Sequence, residues 1–311
     1  MSASPDPQPP ADTEHATEAP GALATALRAA SGPVPTLAAA WLAAFLLALY
    51  HAKSDALLMA LGFAGAVVAG MVGVGGAIVM IPLLLYVPPL LGQPALDIHT
   101  VSGITMAQVA AAGLAGLLGH VHHRPLRGNL IPTLGGGMMA GSLTGAALSS
   151  LVSGRALTAV FAALALAAAV LMLATRRGER WLADPVEDPA NINPYLAVGG
   201  STVVGLLAGM IGAGGGFLLV PLMIYVLRVP LRSAISASLG IVVMSAVAGM
   251  VGKAATGQIE WLPAIALVVG ALPGARLGAS VSRRMHTEAL SLVLAILIGL
   301  VAAKMWWEIL G

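Results

Sequence analysis

Two glycine clusters carry most of the chemistry this sequence offers. Gly73, Gly75 and Gly76 stand in one apolar stretch, and Gly212, Gly214, Gly215 and Gly216 in another. A glycine run inside an apolar segment presents backbone N–H groups that no Cβ screens, and the half-helix that follows adds the positive end of its dipole. Such a place suits an oxyanion. Hydroxyls stand downstream of each cluster, Thr100 and Ser102 in the first case, Ser236 and Ser238 in the second. At a helix start a hydroxyl either caps its own backbone or meets a ligand. Gln108 is an amide in mid-span, where it contacts a ligand or ties two helices together. Arg276 is the basic residue that falls inside an apolar span, its guanidinium fork matched to an oxyanion or free to snorkel to the interface. Lys253 and His120 close their spans, where a cation anchors the helix or attracts an anion at the entrance.

The acids narrow the chemistry by where they are not. Asp55, Asp97, Glu179, Asp184, Glu187, Asp188, Glu260, Glu288 and Glu308 all fall in loops or at the ends of apolar spans, and the other four lie before residue 20. Cation pathways and most proton relays place carboxylates at depth, so a cation pump or an acid–base hydrolase is disfavoured. There are no cysteines, which excludes thiol chemistry and thiolate metal sites. His120, His122 and His123 cluster in a short loop beside arginines with no carboxylate among them, a poor metal site. No metal and no cofactor is implied.

What must position these residues is a membrane-embedded helical frame. The chain is 58% hydrophobic and 9% charged, against about a quarter charged in soluble domains. It is read as an all-α polytopic membrane protein. Gly70 to Val87, GMVGVGGAIVMIPLLLYV, returns at an offset of 139 as Gly209 to Val226, GMIGAGGGFLLVPLMIYV, with nine of eighteen positions identical. Chance would give roughly two, so the chain contains an internal duplication. Unwound backbone within a membrane is tolerated only where it is buried in protein or lines a wet cavity.

The chain divides accordingly. Residues 1–33, with six prolines and four acids, are expected to be a disordered tail, and 34–55 an extra N-terminal transmembrane helix rather than a cleaved signal. The first membrane repeat covers 56–175, a polar linker 176–194, and the second repeat 195–311. The spans expected after the two broken segments include Val101 to Gly119 and Ala234 to Gly252, for about 8–10 transmembrane segments in all. Gly137, Gly141 and Gly145 align with Gly270, Gly274 and Gly278, a spacing that lets a neighbouring helix approach closely. Thr100 and Ser102 align with Ser236 and Ser238, Gln108 with Met244, and Arg276 with Leu143.

Orientation follows from the cations. If each glycine-broken motif turns back, as a re-entrant hairpin or two tilted spans, ten basic residues (Arg28, Arg124, Arg127, Arg176, Arg177, Arg180, Arg228, Arg232, Arg283 and Arg284) share one side against Lys53, Arg155, Lys253 and Lys304. If each motif crosses as a kinked helix the count is eight against six. The positive-inside rule favours the turn and a cytoplasmic N-terminus and linker. The two repeats are then inverted in topology, a plan that places a substrate near the midplane between them.

The doubled motif with its proline (Gly73, Gly75, Gly76, Pro82; Gly212, Gly214, Gly215, Pro221), the following Ala234 to Leu239 and the later glycine run resemble the TauE/SafE sulfite exporter (TSUP) family over about residues 56–309. The first half departs in reading IHTVSG at 98–103 and in three extra residues around Pro88 and Pro89. The resemblance implies a secondary transporter or facilitator for a small oxyanion, sulfite or an organosulfonate such as sulfoacetate, in the bacterial inner membrane. The partners are then that anion and the lipid bilayer, with a proton or sodium as coupling ion and a homodimer both compatible, and no nucleic acid. The competing reading is a membrane assembly or accessory protein that transports nothing; its expected large partner-binding loop is absent from the sequence.

Overall fold

The computed structural model describes residues 53–72, 76–120, 130–177, 194–227, 229, 231–282 and 287–310. The tail expected over 1–33, most of the helix over 34–55, most of the linker, and Gly73 and Gly75 lie outside them. Ten α-helices account for nearly all of the rest. The first half holds α1 (Lys53–Val72), α2 (Ala77–Leu90), α3 (Ile98–His120), α4 (Leu130–Leu148), a 3-10 turn (Ser149–Leu151) and α5 (Gly154–Arg177). The second holds α6 (Pro194–Ile211), α7 (Gly216–Pro221) running into a π-helical turn (Leu222–Val226), α8 (Leu231–Ala255), α9 (Trp261–Ser282) and α10 (Thr287–Leu310).

Most of these helices are apolar on all sides, the pattern of elements surrounded by protein and lipid rather than by water. Large apolar side chains also point outward, Val203 on α6, Leu262 on α9, and Leu300 and Trp307 on α10 among them. In water so much exposed apolar surface would drive aggregation; in a bilayer it is the solvated surface. Two windows, Pro194–Ile211 and Trp261–Gly278, are by themselves long and apolar enough to cross.

Both motifs break as the glycines require. Gly76 (φ 66°) and Gly215 (φ 85°) occupy equivalent places as left-handed caps of α2 and α7, a conformation costing an L-residue about 1–2 kcal/mol. Their carbonyls accept the first helical N–H groups, from Val79 and Met80 in one motif and from Leu218 and Leu219 in the other. The shared proline then acts differently in the two copies. Pro82 sits inside a continuous α2, whereas Pro221 ends α7 and a π turn follows, one way to absorb its missing N–H. The three extra residues of the first copy appear as helix: α2 has 14 residues, and α7 with its π turn has 6 and 5.

The halves interlock through the glycine faces. A Cβ on Gly141 would strike the main chain of Thr202, and one on Gly145 that of Leu206, so α4 and α6 lie side by side and parallel. Gly270 and Gly274 press in the same way on Met59 and Phe63, setting α9 parallel to α1. This is the close approach that four-residue glycine spacing allows. Between these pairs α3 and α8 cross antiparallel: Gly103 meets Gln258, just past the end of α8, Met106 meets Gly249, and Gly113 meets Val243. The counterparts α3 and α8 thus run in opposite directions.

Candidate functional site

The second break is the better defined of the two. Gly212 (φ 77°), Gly214 (φ 64°) and Gly215 carry left-handed backbone in sequence, and residues 211–217 are all buried. Gly212 lies against the Ser102 main chain at the start of α3, and Gly214 against Val109 of α3 and Val242 and Ala246 of α8. Gly215 packs against Met138 of α4 and Ala208 of α6. The break therefore sits at the crossing of α3 and α8, backed by α4. Among the described residues no main-chain carbonyl accepts from the N–H groups of Gly214, Gly215, Gly216 or Phe217, the free donors that a helix start leaves.

Beside the break stands a group that spacing alone does not reveal. Lys253, in the last turn of α8, is fully buried. Its Nζ donates to Ser102 Oγ (2.8 Å), Ser149 Oγ (2.7 Å), Gln258 Oε1 (2.8 Å) and the carbonyl of Met210 (3.0 Å). These four acceptors come from the start of α3, the 3-10 turn after α4, the loop after α8 and the last turn of α6. An ammonium has three N–H groups, so one acceptor is always in surplus. All four are neutral. Among the described residues the one ion pair is Lys304–Glu308 (3.6 Å), half-exposed on α10.

Further hydrogen bonds hold the acceptors in place. Ser102 Oγ donates to the His99 carbonyl (2.8 Å), Ser149 Oγ to that of Ala146 (2.6 Å), and Gln258 Nε2 to Thr256 Oγ1 (2.7 Å). The nearest acids in sequence serve other partners: Asp97 accepts the His99 N–H (3.0 Å) and Glu260 accepts from Thr100 Oγ1 (3.1 Å). Among the described residues four buried polar side-chain atoms have no hydrogen-bond partner: Gln108 Oε1, Ser142 Oγ, Ser245 Oγ and, on α10, Trp306 Nε1. Ser142 lies beside Gly249, one turn before Lys253, and its main chain touches Gly209 at the end of α6.

Ser102, Gly212, Gly214 and Gly215 are thus brought together, and Ser238 is buried on α8. Thr100 is turned to Glu260 rather than to the break. Gly76 opens α2 and Gly216 opens α7, while the Ser236 side chain lies outside the described residues. Arg276 is exposed on α9 with no described partner. The groove of about 190 Å³ between α2 and α10, lined by Ile78, Pro82, Leu83, Tyr86, Ile298 and Val301 among others, is apolar and offers an anion nothing.

Comparison with known proteins agrees with this frame. The model of the family described as "Sulfite exporter TauE/SafE" matches residues 58–305. A probable membrane transporter protein of Bacillus subtilis, YunE, is 27% identical over 271 residues, which span 82% of this chain and 98% of the relative. A probable membrane transporter protein of Xylella fastidiosa is 27% identical over 261 residues, 82% and 96% of the two chains. A shorter likeness, 35% over 106 residues, joins a third of this chain to 16% of the probable membrane transporter protein MamO of Paramagnetospirillum magneticum. No solved structure matches. The family match spans most of the chain, from α1 to α10 across both glycine breaks, and this protein belongs to the TauE/SafE sulfite exporter family of helical membrane transporters.

Proposed function

We propose that the protein moves a small oxyanion, sulfite or an organosulfonate such as sulfoacetate, across the bacterial inner membrane, binding it between two inverted repeats. The backbone amides of the glycine breaks hold the anion, with Ser102, Ser238 and Gln108 setting its orientation. The observation that carries this reading is one of sign. Among the described residues Lys253 is the only buried side chain that can carry a charge, and no carboxylate is buried. A site that must desolvate a charge is arranged for the opposite one. The opposed directions of α3 and α8 support the inverted arrangement.

The direct test is binding. Ligands that bind the folded state raise its melting temperature in proportion to the logarithm of concentration above Kd. In detergent, sulfite, sulfate, thiosulfate, sulfoacetate, taurine and simple carboxylates are each titrated against the purified chain. A dose-dependent rise with at least one sulfur oxyanion is expected. No rise with any of them would contradict the reading.

A further inference from the structure

The Lys253 cluster is more than a buried strut. Removing an ammonium from water costs several kcal/mol even after relaxation, and proteins recover that cost with a carboxylate or a full set of fixed partners. Lys253 has the second kind of compensation and lacks the first. Its acceptors come from four separate elements, and one of them exceeds what three N–H groups can serve. The ammonium can therefore release one acceptor without losing a bond. Two of the acceptors are hydroxyls, each of which can swing its single O–H from the helix carbonyl it now serves, His99 or Ala146, to an incoming anion. A third hydroxyl, Ser142 Oγ, is fully buried beside Gly249 with no partner. It stands beside the turn of α8 that precedes Lys253, a buried hydroxyl with its hydrogen-bonding capacity unused. The Met210 carbonyl, in turn, belongs to the last turn before the break itself.

We propose that Lys253 binds the transported oxyanion directly and that doing so unlocks the end of the second break. The inference rests on the anion reading above and adds the residue and the trigger. Without anion, Lys253 ties the start of α3, the turn after α4, the end of α6 and the loop after α8 into one knot. An arriving oxyanion outcompetes the neutral acceptors, because hydrogen bonds between two ions are roughly twice as strong as neutral ones. Ser102 and Ser149 then donate to the anion, and the Met210 carbonyl and Gln258 are set free. Substrate binding and release of the knot become one event, so the gate opens only when loaded.

Lys253→Met keeps the length and apolar stem and removes the charge; Lys253→Arg keeps the charge. With sulfoacetate and with sulfate as probes, the Met variant is expected to lose the anion-dependent melting shift and at least about tenfold of the wild-type affinity, while the Arg variant keeps part of both. A Met variant that shifts as the wild type does would overturn the assignment of Lys253 and leave the anion reading standing. A wild type that shifts with no oxyanion would overturn both. A readout that keeps Lys253 intact covers a Met variant that fails to fold. The chain has no cysteine, so Ser149→Cys supplies one thiol in the knot. Its maleimide labelling is expected to be slow without anion and several-fold faster with saturating sulfoacetate or sulfate; a rate unchanged by either anion would overturn the unlocking.

Discussion

A methyl group at position 212 has nowhere to go. The Cβ would sit on the Ser102 main chain, and φ is 77°. The left-handed backbone costs an L-residue about 1–2 kcal/mol and overpacking against a fixed neighbour about 1–3, so Gly212→Ala is expected to lower stability by about 2–5 kcal/mol. Gly136 supplies the contrast, since a Cβ there meets nothing within 4 Å. Gly136→Ala should be neutral or stabilising by up to about 1 kcal/mol. Thermal unfolding in detergent of the two variants compares them directly; equal melting temperatures would contradict the packing described for the break. Lys253 shows the limit of reading at this scale. The sequence shows a lysine one residue past an apolar span ending at Gly252, the ordinary place for an interfacial anchor. Instead α8 continues to Ala255, and that single extra turn carries the side chain under α3 and the Ser149 turn. Burial of this kind depends on residues 104 and 151 positions away, and no local pattern encodes it.

At the scale of elements the sequence is far more transparent. Among the described residues the second glycine cluster, the α4 and α9 glycine faces and the apolar spans correspond to helices or breaks, with ends shifted by a few residues: Val101 to Gly119 becomes Ile98–His120. These features are legible because each is local, a backbone conformation or a period along one helix. Arg276 is the counterexample. Its place inside an apolar span is plain in the sequence, yet the helix turns it outward, and apolar runs on all sides of α9 give no stripe from which to foresee that. Helix direction yields a prediction of its own. If the repeats are inverted, the linker between the halves and the loop after α8 lie on opposite faces of the membrane. Single thiols introduced by Glu187→Cys and Ala255→Cys should then react with an impermeant maleimide from opposite sides of oriented vesicles. Labelling of both from the same side would sink the inverted arrangement.

At the scale of the whole molecule, among the described residues the one buried ionisable side chain, Lys253, sits in a polar junction, while many outward-facing side chains are apolar. The family match covers both breaks, and Ser102 links Gly212 to Lys253 at the second break, with Gly214 further along the α3–α8 crossing. Transport through that junction is the central claim, and flux measures it most directly. In proteoliposomes the wild type is expected to carry sulfite or sulfoacetate down an imposed gradient. In Gly214→Val, a side chain is forced into left-handed backbone at φ 64° and against Val109 Cγ1 at 2.6 Å. That variant should insert normally yet lose at least about tenfold of the flux. Equal flux in the Gly214→Val variant, or no flux of any sulfur oxyanion in the wild type, would contradict the account.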